Sequence, residues 1–170
     1  MLSLDLVDKG VVTNQIVLTV GYDKESLADG HYTGEVVCDH YGRKIPKHAH
    51  GTQNLGRHTS STRKIIDATM ALFDRIIDKT LLARRLNLTA CNVIREEDIP
   101  EIESYEQISL FDMAEAANAD NNAEEKERAL QEAMILIKHK YGKNAILKGT
   151  NYTEGATARE RNRSIGGHKA

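Results

Sequence analysis

Tryptophan is absent from this chain of 170 residues, phenylalanine occurs twice and tyrosine six times. With so few large rings and a hydrophobic share of 40%, the packed part is expected to fall well short of the whole chain. Cysteine is equally scarce. Cys38 and Cys91 have neither metal-site nor redox spacing and make no disulfide framework, a usage that fits a reducing, cytoplasmic setting. No apolar run is long enough to span a bilayer, and no signal peptide is expected ahead of Asp5. Membrane-spanning and disulfide-stapled secreted classes are set aside on these grounds, and no membrane partner is expected.

What is present is charge, sorted by sign. The net charge is only −2, yet positive residues gather from Arg43 to Lys64 and again from Lys138 to Lys169, while negative ones gather from Glu96 to Glu127. Such segregation points to a polyanionic partner more than the total does.

Residues 2–8 read as the last turns of a helix stopped at Lys9-Gly10, with no visible start. From Gln15 to Tyr22, Ile16, Leu18, Val20 and Tyr22 alternate with polar or small residues, the period of a strand with one buried face. Residues 23–50 are irregular, with a short extended piece at 35–38. A second strand is expected near 53–58. The hydroxyls of Thr59, Ser60, Ser61 and Thr62 offer caps for an amphipathic helix reaching Lys79, with Ile65, Ile66, Thr69, Leu72, Phe73, Ile76 and Ile77 as its core stripe. A third strand over 82–94 places Leu86, Leu88 and Ala90 on one face and Arg85, Asn87 and Thr89 on the other. That polar face either lies against a nucleic-acid groove or is simply solvated. Beyond it comes an acidic linker over 96–123, expected to be flexible, with Ala114 to Asn122 disordered. A helix over 124–142 with Leu130, Ala133, Met134 and Ile137 as its stripe follows, then a basic tail over 143–170 with nothing that packs independently.

Three groups of residues carry candidate chemistry. Cys38, His40, His48 and His50 are zinc-ligand types, but the Cys-x-His and His-x-His spacings match no tight site, and a basic loop that meets phosphates is the preferred reading. Arg43, Lys44, Lys47, His48, Arg57, Thr59, Ser60, Ser61, Lys64 and Arg85 form the candidate phosphate-contacting set. The pentapeptide 107–111 reads as a docking peptide. Gln107 can donate and accept at once in a pocket mouth, and Ile108, Leu110 and Phe111 are apolar anchors in a polar, acidic stretch. Alternatively, Leu110 and Phe111 fold back onto their own domain.

Taken together, 15–22, the Tyr41-Gly42-Arg43-Lys44-Ile45-Pro46-Lys47-His48 run and the helix start at 60–64 resemble the little-finger region of bacterial Y-family translesion DNA polymerases, the ImpB/MucB/SamB group. The pentapeptide resembles that family's sliding-clamp-binding motif, with Ile108 where Leu is commoner. Residues 140–144, Arg161-Asn162 and the closing Gly-Gly-His-Lys-Ala resemble the C-terminus of its Gram-positive branch. The resemblance implies an α+β fold: a partial little finger over 1–95, with an antiparallel sheet of about three strands backed by helices, then the extended linker, the C-terminal helix and the basic tail. The family's first little-finger strand and most of its first helix would lie before Met1. The resemblance also implies action in DNA repair and the SOS response, with duplex or primer-template DNA and the bacterial sliding clamp as partners. The family's catalytic carboxylates belong to a palm domain with no counterpart here, so no catalytic residue and no metal ligand is assigned. Any magnesium would belong to that palm, and this chain alone is expected to be inactive. The competing reading is a regulatory adaptor that binds the clamp or a repair protein without DNA affinity.

Overall fold

Apolar side chains at every second position from Ile16 to Tyr22 need a surface to bury them, and strand β1 (Val11–Tyr22) takes the centre of the sheet for that reason. The computed structural model describes residues 2–28, 30–99, 113–165 and 168–169. It divides into two units, within residues 1–110 and 111–170.

In the first unit, helix α1 (Leu2–Asp8) leads into β1, which pairs antiparallel with β4 (Ala49–Thr59) on one side and β5 (Ala83–Cys91) on the other. A two-residue strand β6 (Ile94–Arg95) continues the β5 path against Val11 and Val12. Between the two pieces Asn92 takes a left-handed φ of 51°, and its side-chain amide donates to Asn14 Oδ1 at 3.1 Å. The third strand expected over 82–94 is thus one path with a kink. The small antiparallel, helix-backed sheet, four-stranded when β6 is counted, agrees with the expected α+β class.

Helix α2 (Thr62–Ile76) covers the face carrying Leu18, Val20 and Tyr22. Ser61 caps it, its Oγ accepting from the Lys64 amide at 3.3 Å. Leu72 is fully buried against that face, with Phe73, Ile76, Ile77, Leu81 and Leu88 around it. The helix ends at Ile76 rather than Lys79. The Asp78 amide donates to the Tyr22 hydroxyl at 2.9 Å, and Asp78 Oδ1 accepts from the Thr80 amide, so the chain turns there instead.

Three further boundaries differ from expectation. β1 starts at Val11, ahead of Gln15, because Thr13 is fully buried and donates to the carbonyls of Gln15 and Cys91 across a register shift. β4 starts at Ala49, because His50 and Thr52 pair with Thr19 and Val17 despite their polarity. In the region 23–50, the short extended piece expected at 35–38 is β2 (Val36–Cys38), which pairs as a hairpin with β3 (Lys44–Pro46), a strand not expected there.

The second unit holds α3 (Met113–Tyr141), which begins before the expected Glu124 and includes the stretch read as disordered. Alanines at 114, 116, 117 and 119 favour that extension. The basic tail carries local hydrogen-bonded structure. Asn162 Nδ2 donates to Asn144 Oδ1 at 2.8 Å, Asn144 Nδ2 donates to the Arg159 carbonyl, and the Arg159 guanidinium lies 5.2 Å from the Tyr152 ring centre. A short helix α4 (Ala158–Arg161) and the pair β7 (Ser164–Ile165) and β8 (His168–Lys169) complete it.

Candidate nucleic-acid interface

The register sorts the three long strands into two chemically distinct faces. Ile16, Leu18 and Val20 share a face with Leu88 and Ala90 and lie on the α2 side. On the opposite face Gln15, Val17, Thr19 and Gly21 stand beside Asn54, Thr52 and His50 of β4 and Thr89, Asn87 and Arg85 of β5. This open face is polar and, over those positions, bears no carboxylate. Its side chains bond laterally: Gln15 Nε2 donates to Asn54 Oδ1 at 2.9 Å, Thr19 Oγ1 meets His50 Nδ1 at 3.0 Å, and Arg85 Nε donates to Asn87 Oδ1 at 3.3 Å. A row of amides, hydroxyls, one imidazole and one guanidinium suits a phosphate-lined surface better than a second apolar layer. The expected faces of β5 are those observed, although Leu86 on the helix side remains 60% exposed.

The candidate phosphate-contacting residues fall into two groups, not one continuous stretch. Arg57, Thr59, Ser60, Ser61 and Lys64 lie towards the Thr13 end of β1, where Thr13 pairs with Thr59. Arg85 pairs with Gly21, and His48 precedes Ala49, the partner of Val20, so these two mark the Tyr22 end. Arg43, Lys44 and Lys47 sit on the hairpin whose strand β3 packs beside the turn at 24–27 and beside β1. Thr13 and Tyr22 are nine positions apart, which in a strand is roughly 30 Å at ~3.3 Å per residue.

Several of these groups already have partners. Arg43 reaches Asp39 Oδ2 through Nη2 at 2.6 Å, and Lys47 Nζ reaches Glu35 Oε2 at 2.6 Å. Thr59 Oγ1 accepts from the Ser61 amide at 3.0 Å, and all three of Thr59, Ser60 and Ser61 are buried. The Thr59 and Ser61 hydroxyls hold the β4–α2 junction. Lys44 is exposed. Sequence reasoning placed Asn87 on the polar face of the third strand but passed over Gln15, Thr19 and Asn54, and over Arg84, which pairs with Asp23 Oδ2 at 3.2 Å. The every-second-residue polar pattern of β4 was the signal that would have extended that face beyond β5.

Hydrogen bonds hold Asp39 below the usual carboxylate range, chiefly from the Arg43 side chain, with the Arg43 and Tyr41 amides adding to it. Asp23 is also lowered, first by the Glu25 amide and then by the charges of Arg84, Lys24 and Arg43. These anions stay paired with the cations around them at neutral pH. His48 and His50 meet edge to face, with ring centres 6.4 Å apart. Among the described residues no group of three or more His, Cys, Asp or Glu side chains is placed to hold a metal ion. No helix among them is long and apolar enough to cross a membrane. The docking peptide Gln107, Ile108, Leu110 and Phe111 lies outside the described residues.

Over most of its length the chain is distantly homologous to proteins related to Y-family DNA polymerases. One is a Bacillus subtilis (strain 168) protein described as a UV-damage repair protein, UvrX, 31% identical over 160 residues and 94% of this chain. Another is DNA polymerase IV 2 of Halalkalibacterium halodurans, 28% identical over 125 residues and 74% of this chain. The chain spans only 30% of the first relative and 26% of the second. No family model matches it, and no solved structure matches it significantly.

Proposed function

We propose that this chain is the DNA-gripping and clamp-docking part of a translesion polymerase of the Y family, corresponding to its little finger and the segment beyond. The observation that carries this reading is the carboxylate-free polar sheet face with cationic groups at both of its ends. Its length of roughly 30 Å is close to one turn of B-form duplex, about 34 Å. Phosphates on successive turns would meet the Arg57–Lys64 end and the Arg43–Arg85 end, and the amide and hydroxyl rows between them would follow the backbone without reading bases. The homology to a UV-damage repair protein and a DNA polymerase supports the same reading. Polymerisation belongs to carboxylates outside these residues, so the isolated chain contributes binding and tethering, not chemistry.

The test is duplex binding as a function of salt. If Z phosphates are neutralised, log K should fall against log salt with slope about −0.9 Z and little dependence on sequence. Lys44→Ala and Arg85→Ala should each flatten that slope by about one contact. Unchanged slopes in both variants would remove the sheet face from the interface.

A further inference from the structure

The hairpin between β2 and β3 carries a feature that phosphate contact does not use. Its turn, Asp39 to Arg43, is closed twice by main chain, with the Asp39 amide donating to the Arg43 carbonyl and the Gly42 amide to the Asp39 carbonyl, both at 2.9 Å. It is closed again by the Asp39 side chain. Oδ1 accepts from the Tyr41 and Arg43 amides at 2.9 Å, and Oδ2 accepts from Arg43 Nε at 2.7 Å and pairs with Nη2 at 2.6 Å. Gly42, at φ 74°, supplies the left-handed step. On this fixed tip stands Tyr41, 78% exposed. The Arg43 guanidinium carbon lies 5.0 Å from its ring centre, and the His40 ring meets it edge-on at 5.5 Å.

We propose that this tip is a stacking platform for one unpaired base of single-stranded DNA, with Tyr41 supplying the π-face. The proposal rests on the DNA-binding reading above and extends it from backbone to base. Asp39 spends both oxygens holding the turn, so Tyr41 and Arg43 are ordered before any ligand arrives and little entropy is lost on binding. Arg43 is oriented by the same carboxylate, which leaves it beside the ring as a cation rather than free to wander. Lys44, the next residue along, is exposed and within one residue's reach of the phosphate that would follow a stacked base. Flat π-faces strung between phosphates are what single-stranded nucleic acid offers, and stacking on an aromatic ring tolerates any base. A protein partner would more naturally seek apolar surface around Tyr41, and its neighbours His40, Gly42, Arg43 and Lys44 provide none.

The experiment compares, by anisotropy with the full chain, a labelled oligothymidylate and an abasic oligonucleotide of equal length and charge, beside the duplex used above. The wild-type chain should prefer the base-bearing strand by about tenfold, the scale of one stacked base. Tyr41→Phe should keep that preference and Tyr41→Ala should abolish it, with the salt slope unchanged in both because no charge is altered. Tyr41 lies outside the core, so both variants should fold, and far-ultraviolet circular dichroism checks this. Equal affinity of the wild-type chain for the two strands, or a preference that survives Tyr41→Ala, overturns the stacking site. If duplex binding with its salt slope persists in that case, only the stacking site has failed. If the chain binds neither the duplex nor either single strand, the DNA-binding reading fails with it.

Discussion

Asp39, half-buried at the turn, organises more of its surroundings than any other residue of the hairpin. Its carboxylate accepts from two backbone amides and a guanidinium, and each bond favours the ionised form, which is why its pKa falls below the ordinary 3.8. The sign of the linkage follows directly. A depressed folded-state pKa contributes stability that is present above the unfolded value and lost as pH falls through the folded one. The turn should therefore hold at neutral pH and down to the ordinary carboxylate range, then loosen in acid below it. Chemical shifts of the Tyr41 and Arg43 amides, followed from pH 7 downwards (an experimental range chosen on the scale of about 4 for an unperturbed Asp), should report that transition. In Asp39→Asn the step should vanish while the fold persists. An Asp39 that titrates at or above the ordinary value would contradict the network. Asp23 and Asp78 behave alike at their own turns, lowered first by the Glu25 amide and by the Thr80 hydroxyl respectively.

Between elements, the closest fit is α2 against the sheet, and Gly51 sets its distance. A Cβ at this position would stand 2.8 Å from Leu72 Cδ1 and 2.9 Å from Ile76 Cγ2. Those are the ends of flexible side chains, yet Leu72 is fully buried and has little room to yield. Gly51→Ala should destabilise the first unit by about 1–3 kcal/mol, the usual range for overpacking. Chemical denaturation measures it, and an unchanged midpoint would mean that α2 shifts freely over β4. The helix and β1 were legible in the sequence because each repeats a single period for several turns or pleats, as in Ile65–Leu72–Ile76 and Ile16–Leu18–Val20. The hairpin was legible only as the extended piece at 35–38, since its strands are three residues long and its turn is made by one side chain. The local structure of the tail was not legible, because it depends on Asn144 and Asn162, polar residues that carry no periodic signal. The two faces of β5 were read correctly from alternation. The division of the basic residues into two groups was hidden because β4 carries the chain from one end of the sheet to the other between Lys47 and Arg57.

For the whole molecule, the proposed roles separate along the chain: a sheet that meets DNA, then a peptide that meets a clamp. The peptide's candidate status rests on sequence. Glu96, Glu97, Asp98, Glu101, Glu103 and Glu106 precede it and Asp112 follows it, so its three apolar side chains lie in a strongly acidic stretch, with Ile99, Ile102, Tyr105 and Met113 interspersed. A short segment that orders on binding gives up conformational entropy, and the expected affinity for a bacterial sliding clamp is on the order of micromolar. Most of that affinity should reside in the last two anchors. Phe111→Ala should cost about 2 kcal/mol or more, the range for an aromatic in a desolvated pocket, and Leu110→Ala should weaken binding too. Ser109→Ala should change it far less, because a small hydroxyl beside the pocket displaces little water. Duplex affinity and its salt slope should be unaffected by all three, since none removes a cation. On a clamp already encircling DNA, the two weak contacts should reinforce each other, so that Phe111→Ala also loosens the chain from the loaded template. The measurement is a calorimetric titration of the clamp with the wild-type chain and with Leu110→Ala/Phe111→Ala, repeated with clamp loaded on DNA. Equal binding by the wild-type chain and the double variant would show that the clamp, if it is met at all, is met elsewhere on the molecule.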